Sequence, residues 1–285
     1  MHRTIGITDI KAFAIGLGAM PLSIAGRPDA EQGKAVILAA LEAGVDFIDT
    51  ADCYCIDDND FGHNEKLITS ALAGLSAAQR PTVATKGGLT RPGGRWERNG
   101  LPEHLRNACE KSLRNLGVET IVLYQLHAPD SAVPFSDSVG ELARLHEQGK
   151  IANVGLSNVD KDQIDTAKDI VPISSVQNEC HVLYKKDMAN GLVDYCGTQG
   201  ITYIPYSPVG GDGHKKLPEV HLLAEIASKH GVSVYQVALA WLLHKGDHVL
   251  PIPGASRISS IRDSAKAVEL RLSPEEVARI DAIPD

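Results

Sequence analysis

The segment VDFIDTADCY at 45–54 sets a carboxylate, Asp49, and a phenol, Tyr54, at the end of a short apolar run made by Val45, Phe47 and Ile48. At the mouth of a parallel sheet, such a pair can be aimed at a reacting group. Two more groups arrive in the same way: Lys86 directly follows the apolar run at 82–85, and His127 follows the run at 121–126. An ammonium, an imidazole, a carboxylate and a phenol at the same end of three consecutive strands form a candidate active site. Each also has a plain reading. Asp49 or Thr50 is a good helix cap, Tyr54 packs well with its hydroxyl in water, Lys86 suits a solvated surface, and His127 suits a core imidazole bonded to backbone. Lys86 alone also fits a Schiff-base aldolase.

The elements that must position these groups follow an alternating pattern. Strand candidates fall at 13–17, 45–49, 82–85, 121–126, 151–156, 173–176, 201–206 and 249–252, separated by segments of helical periodicity. One of these, at 102–116, carries Leu105, Cys109, Leu113 and Leu116 on one face, and another, at 136–148, ends at Gly149. A single helix is expected over 187–196. Eight such units imply an α/β protein with a mostly parallel sheet, closed as a (β/α)8 barrel, with an open doubly wound sheet as the alternative. Residues 2–18 break at Gly6 and Asp9 and read as a small hairpin that plugs or flanks the core. Gly16 and Gly18 are no dinucleotide fingerprint, because its third glycine would fall at Pro21.

In a barrel the residues just past the remaining strands face the same mouth: Ser157 and Asn158, Gln177 and Asn178, Tyr206 and Ser207. Their plain readings are helix caps and loop anchors. Glycine and proline cluster at 87–100 and 205–218, so long loops are expected on that face.

The chain has 285 residues, a size common for one barrel domain, with 43% hydrophobic and 22% charged residues. A formal net charge of -8 argues against a nucleic-acid partner, since that affinity comes from Lys and Arg on phosphates. No stretch approaches the 18 or so apolar residues of a membrane span, and the amino terminus lacks a signal-like pattern; a cytoplasmic protein is expected. The five cysteines, Cys53, Cys55, Cys109, Cys180 and Cys196, are an odd and scattered set, read as free thiols. Cys53, Cys55 and His63 lack the further ligands and spacing of a metal site, so none is expected.

The chain resembles the aldo-keto reductase family along nearly its whole length. The resemblance rests on LGAM at 17–20, DTADCY at 49–54, HNEKLI at 63–68, TKGG at 85–88, LHAPD at 126–130, GKIANVGLSN at 149–158, VQNE at 176–179, PYSP at 205–208 and IPGAS at 252–256. It implies a barrel that binds extended NADPH and reduces an aldehyde or ketone, with a tetrad of Asp49, Tyr54, Lys86 and His127. Tyr54 is then the general acid, His127 orients the carbonyl, and Asp49 holds Lys86. A cation about 4 Å away at an effective dielectric of about 20 favours the phenolate by up to roughly 4 kcal/mol, so Lys86 is expected to lower the phenol pKa by up to about three units.

The resemblance also implies cofactor positions. Ser157, Asn158 and Gln177 would bond the carboxamide, Tyr206 would stack on the nicotinamide, and Ser207, Pro208, Val209, Gly210 and Gly211 would cradle the pyrophosphate. Ala19, Met20, Gly254, Ser256, Arg257, Ser260, Asp263 and Ser264 complete the set, with Ser256 and Arg257 near a 2′-phosphate; NADPH is expected, with NADH as the alternative. The chain departs from the family at Ser260 and Ser264, where many members carry Arg or Gln and then Asn, at Cys55 in place of a glycine, and at 56–61, which looks like an insertion. Specificity is expected from Trp96 and its loop, from 128–136 and from 209–218. The helix at 274–282 ends close to Asp285, so no long carboxyl-terminal loop roofs the pocket and an open site is expected. The expected partner is a small carbonyl substrate, and the expected state a monomer or weak homo-oligomer. A nicotinamide-sensing, weakly catalytic subunit of a larger assembly is the alternative.

Overall fold

The computed structural model describes residues 1–211 and 217–284. A hairpin of β1 (His2–Thr4) and β2 (Lys11–Phe13) precedes the barrel strands β3 (Leu17–Gly18), β4 (Phe47–Asp49) and β5 (Thr82–Gly87). A second hairpin follows, β6 (Leu89–Thr90) with β7 (Glu97–Arg98), and then β8 (Leu123–Leu126), β9 (Val154–Ser157), β10 (Ile173–Gln177) and β11 (Thr202–Tyr203). All neighbours in the order β11-β10-β9-β8-β5-β4-β3 are parallel.

Residues 248–254 close the ring as its eighth stave, though without a regular ladder. On one side Tyr203 N donates to His248 O at 2.8 Å and Leu250 N to Tyr203 O at 2.9 Å. On the other, Gly16 N donates to Pro251 O at 2.9 Å and Gly18 N to Pro253 O at 3.0 Å. Pro251 and Pro253 have no N–H to return, so the expected strand at 249–252 becomes isolated bridges, Tyr203 with Val249 and Gly18 with Gly254. The first stave is also shifted from expectation: Phe13 belongs to the hairpin, and barrel pairing begins at Leu17.

The helices form where capping and periodicity direct them. Asp29 accepts from Gln32 N to start Ala30–Glu42, and Asp160 and Gln163 form a reciprocal capping box on Lys161–Lys168. Pro102 opens Pro102–Leu116, which ends at left-handed Gly117 (φ 65°) and buries the expected stripe of Leu105, Cys109, Leu113 and Leu116. The single helix expected at 187–196 is two, Lys186–Ala189 and Leu192–Thr198, divided at Gly191 (φ 76°).

Inside the barrel, alternation along each strand stacks two layers. Phe47, Ala84, Leu123, Ile204, Leu250 and Ile252 make an apolar floor, and the hairpin plugs it from below with Ile5 and Ala12. Each large floor side chain contributes about 1.5–3 kcal/mol of transfer free energy. Gly6 carries the turn close to the barrel end: its N–H donates to Thr202 Oγ1 at 2.7 Å, and a Cβ there would meet Ser174 O at 2.7 Å. Two residues above the floor on β4, β5 and β8 stand Asp49, Lys86 and Gln125, joined by Ser175 and Gln177 of β10, all buried.

Candidate active site

The polar layer is wired together. Lys86 Nζ donates to Asp49 Oδ2 at 2.7 Å and to the Thr50 carbonyl at 2.8 Å, with no part of the side chain exposed. Asp49 Oδ1 accepts from Gln177 Nε2 at 2.8 Å and Gln125 Nε2 at 3.4 Å, and Gln125 Oε1 accepts from Ser175 Oγ at 3.1 Å. A buried carboxylate with an ion pair and two amide donors is compensated for its lost hydration.

Tyr54 lies above this layer. Lys86 Nζ is 4.8 Å from the centroid of its ring, and the His127 ring meets it edge-on with centroids 5.6 Å apart. On its other flank the indole of Trp96 stands edge-on at 6.4 Å. Trp96 is carried by the second hairpin and backed by Arg91, whose guanidinium carbon is 3.7 Å from the indole centroid and whose Nη2 donates to Ile56 O at 3.1 Å. The Ile56 carbonyl, two residues after Tyr54, therefore anchors the hairpin that walls the cleft. His127 is further held by Cys53, with Sγ 3.4 Å from Nδ1, and its carbonyl accepts from Asn158 Nδ2 at 3.0 Å.

A cleft of about 760 Å³ opens over these groups. Its wall includes Asp49, Tyr54, His127, Ser157, Asn158, Gln177, Tyr206, Ser207, Val209, Gly210, Gly211, Met20, Gly254 and Ser256 among the expected residues, and Trp96. Leu89, Ile24, Ala25 and Pro21 also line it and had no sequence signal beyond their place in loops. Ala19 and Pro208 are buried beside the cleft and not on its wall. Arg257 caps the helix Ile258–Ala265 and, with Ser260, is exposed outside the wall. Asp263 is committed elsewhere, accepting from Ser233 Oγ at 2.5 Å and Gln236 Nε2 at 2.6 Å, and Ser264 is buried on the same helix. Residues 128–136 do not reach the wall; of the loop expected at 209–218, residues 212–216 lie outside the described residues. Asn178 follows its plain reading, bonding both backbone groups of Val159.

One electrostatic expectation is reversed. Burial, and then the Asp49 charge, push the Tyr54 phenol well above its ordinary value. The Lys86 cation does not overcome this, because its charge is answered at 2.7 Å by Asp49. Burial, with Lys86 second, holds the His127 imidazole well below its usual range, so the ring is neutral. Thr50, Cys53 and Gln125 were missed as parts of the site. Polar residues interrupting apolar strand runs, such as Gln125 in LYQL and Ser175 in ISSVQ, were the available signal for a polar barrel layer.

A buried ion pair beneath a phenol and an imidazole, at the open mouth of a (β/α)8 barrel, is an arrangement that can move a proton. The aldo/keto reductase family model matches residues 14–285. A probable aldo-keto reductase 1 of Glycine max is 34% identical over 311 residues, covering 98% of this chain and 88% of the relative. A glycerol dehydrogenase from Gluconobacter oxydans superimposes with a TM-score of 0.84 at 27% identity, covering 98% of this chain and 94% of that one. An aldo/keto reductase from Klebsiella pneumoniae in complex with NADP and acetate gives 0.81 at 25% identity, with coverage of 98% and 94%. The chain belongs to the aldo/keto reductase family and is an oxidoreductase.

Proposed function

We propose that the chain reversibly reduces an aldehyde or ketone to the alcohol, with NADPH as reductant, NADH as the alternative, and Tyr54 as the proton donor. The observation that carries this is the buried Lys86–Asp49 pair, 2.7 Å apart, directly under the Tyr54 ring with His127 beside it.

The donor set suits a nicotinamide cofactor. Ser157, Asn158 and the side-chain amide of Gln177 fit a carboxamide, Tyr206 offers a flat ring, and the turn at Ser207, Val209 and Gly210 allows close backbone approach to an anion. Gly254, Ser256, Arg257 and Ser260 are assigned to the adenosine end, with Met20 beside the nicotinamide. When bound there, NADPH supplies the hydride.

This chain's own residues handle the proton. The raised pKa keeps the Tyr54 phenol protonated near neutrality, ready to deliver its proton to the carbonyl oxygen as negative charge develops. Lys86 then lies near the phenolate left behind and offsets its charge, while neutral His127 orients the oxygen. Lys86 itself is a poor candidate for a Schiff base, since it is fully buried and bonded to Asp49 and Thr50.

The test is NADPH oxidation across a carbonyl panel, with wild type and Tyr54→Phe. Wild type is expected to turn over and Tyr54→Phe to lose about 10²- to 10⁴-fold while nicotinamide binding persists. Equal turnover by the variant refutes the assignment. Binding without turnover by the wild type favours a nicotinamide sensor. With the phenol protonated, kcat/KM for reduction is expected to stay level from about pH 6 to 9, with Tyr54 causing loss only above about pH 10.

A further inference from the structure

The imidazole of His127 has two nitrogens with different surroundings. Nδ1 is met inside the protein by Cys53 Sγ at 3.4 Å, both side chains being buried, and the ring as a whole lines the cleft. A neutral imidazole carries one N–H, and the group bonded to one nitrogen fixes which of the two holds it. We infer that the Cys53 thiol donates its hydrogen to Nδ1 and thereby fixes His127 in the tautomer that presents Nε2–H to the substrate oxygen, making Cys53 a positioning residue of this site.

Two observations support the direction of that bond. Burial, with the neighbouring Asp52 next, pushes the Cys53 thiol well above its ordinary range, so it keeps its hydrogen and has one to donate. The other groups facing the ring supply no acceptor that would draw the hydrogen to Nδ1: Tyr54 meets it edge-on at 5.6 Å, Lys86 is a cation, and Asn158 is engaged with the His127 backbone carbonyl. The opposite tautomer would turn a bare Nε2 lone pair toward an oxygen gaining negative charge, which is repulsive. Cys55 does not compete, since its Sγ donates to the Cys53 carbonyl at 3.2 Å; the Asp52 carboxyl also lies near the thiol, but it makes no well-formed hydrogen bond to it, whereas Nδ1 does.

The inference rests on the carbonyl-reductase reading for its catalytic meaning, but the tautomer is measured without turnover. In full-length protein labelled with ¹⁵N-histidine, long-range proton–nitrogen spectra identify the protonated nitrogen of His127, assigned by its loss in His127→Gln. Wild type is expected to show Nε2–H. Cys53→Ser, whose hydroxyl also donates, keeps that tautomer and turnover within a few-fold. Cys53→Ala shifts it toward Nδ1–H or a mixture, and kcat falls roughly tenfold to a hundredfold with the nicotinamide Kd unchanged. Nδ1–H in the wild type, or an unchanged tautomer and kcat in Cys53→Ala, overturns the inference. If wild type shows Nε2–H and Cys53→Ala loses it while no carbonyl is reduced, the positioning role stands and the proposed reaction fails.

Discussion

Asp49 and Asp52 are three residues apart on one strand-to-loop segment, and both are nearly fully buried, at 2% and 1% exposure. Their surroundings differ completely. Asp49 points into the barrel and is met by an ammonium and two amides. Asp52 faces Glu65 and Lys111, and neither of its carboxylate oxygens makes a well-formed hydrogen bond among the described residues, the N–H and thiol of Cys53 being the nearest donors. Burial, then the charge of Glu65, raises its pKa well above the ordinary carboxylate range. Burial of an acid therefore does not by itself mark a site. The partners do, because they decide whether the charged form survives where it is needed.

The largest effect should come from breaking the compensated side. Lys86→Met leaves Asp49 buried without its cation, and is expected to cost about 3–5 kcal/mol of stability and about 10²- to 10⁴-fold in turnover. Chemical denaturation beside steady-state rates checks both; a loss of activity alone would mean that Asp49 does not depend on Lys86 for its burial.

Asp52→Asn should do the reverse. A carboxyl with a raised folded-state pKa binds a proton that the unfolded chain has released, so its contribution is complete below about pH 4 and is lost as the pH rises through the folded value. The amide escapes that loss. The variant is expected to gain about 1–3 kcal/mol at pH 8 and little at pH 4, read by denaturation at the two pH values. A cost at pH 8 would break the contrast between the two aspartates. The smallest effect is expected of Gln125→Met, which removes the weaker donor to Asp49 and the acceptor of Ser175. About 0.5–1.5 kcal/mol is expected, with Gln177 keeping the carboxylate in place. A loss as large as that of Lys86→Met would show that the amide layer, and not the ion pair, holds Asp49.

That Asp49, Tyr54, Lys86 and His127 meet was legible in the sequence because each lies at or just past the carboxyl end of a strand of a parallel barrel, where chain direction alone assigns the end. Helix positions were legible from stripes and glycine stops, as along Leu105, Cys109, Leu113 and Leu116 and at Gly149. The hairpin bearing Trp96 was not, since its two-residue strands have too little periodicity to rise above the glycines around them. The height of the Tyr54 pKa was also hidden: spacing brings a cation near, but only coordinates reveal that the cation is already paired. Cys53 read as one of several scattered thiols because its partner lies 74 positions away.

The eighth stave closes against the first through two prolines, so there the cylinder is fastened by bonds donated from one edge only. Gly18 and Gly254, which meet across this join, both border the cleft. Along a line that borders the cleft the cylinder is thus held by N–H groups of the first stave alone, without the regular ladder that joins staves such as β5 and β8.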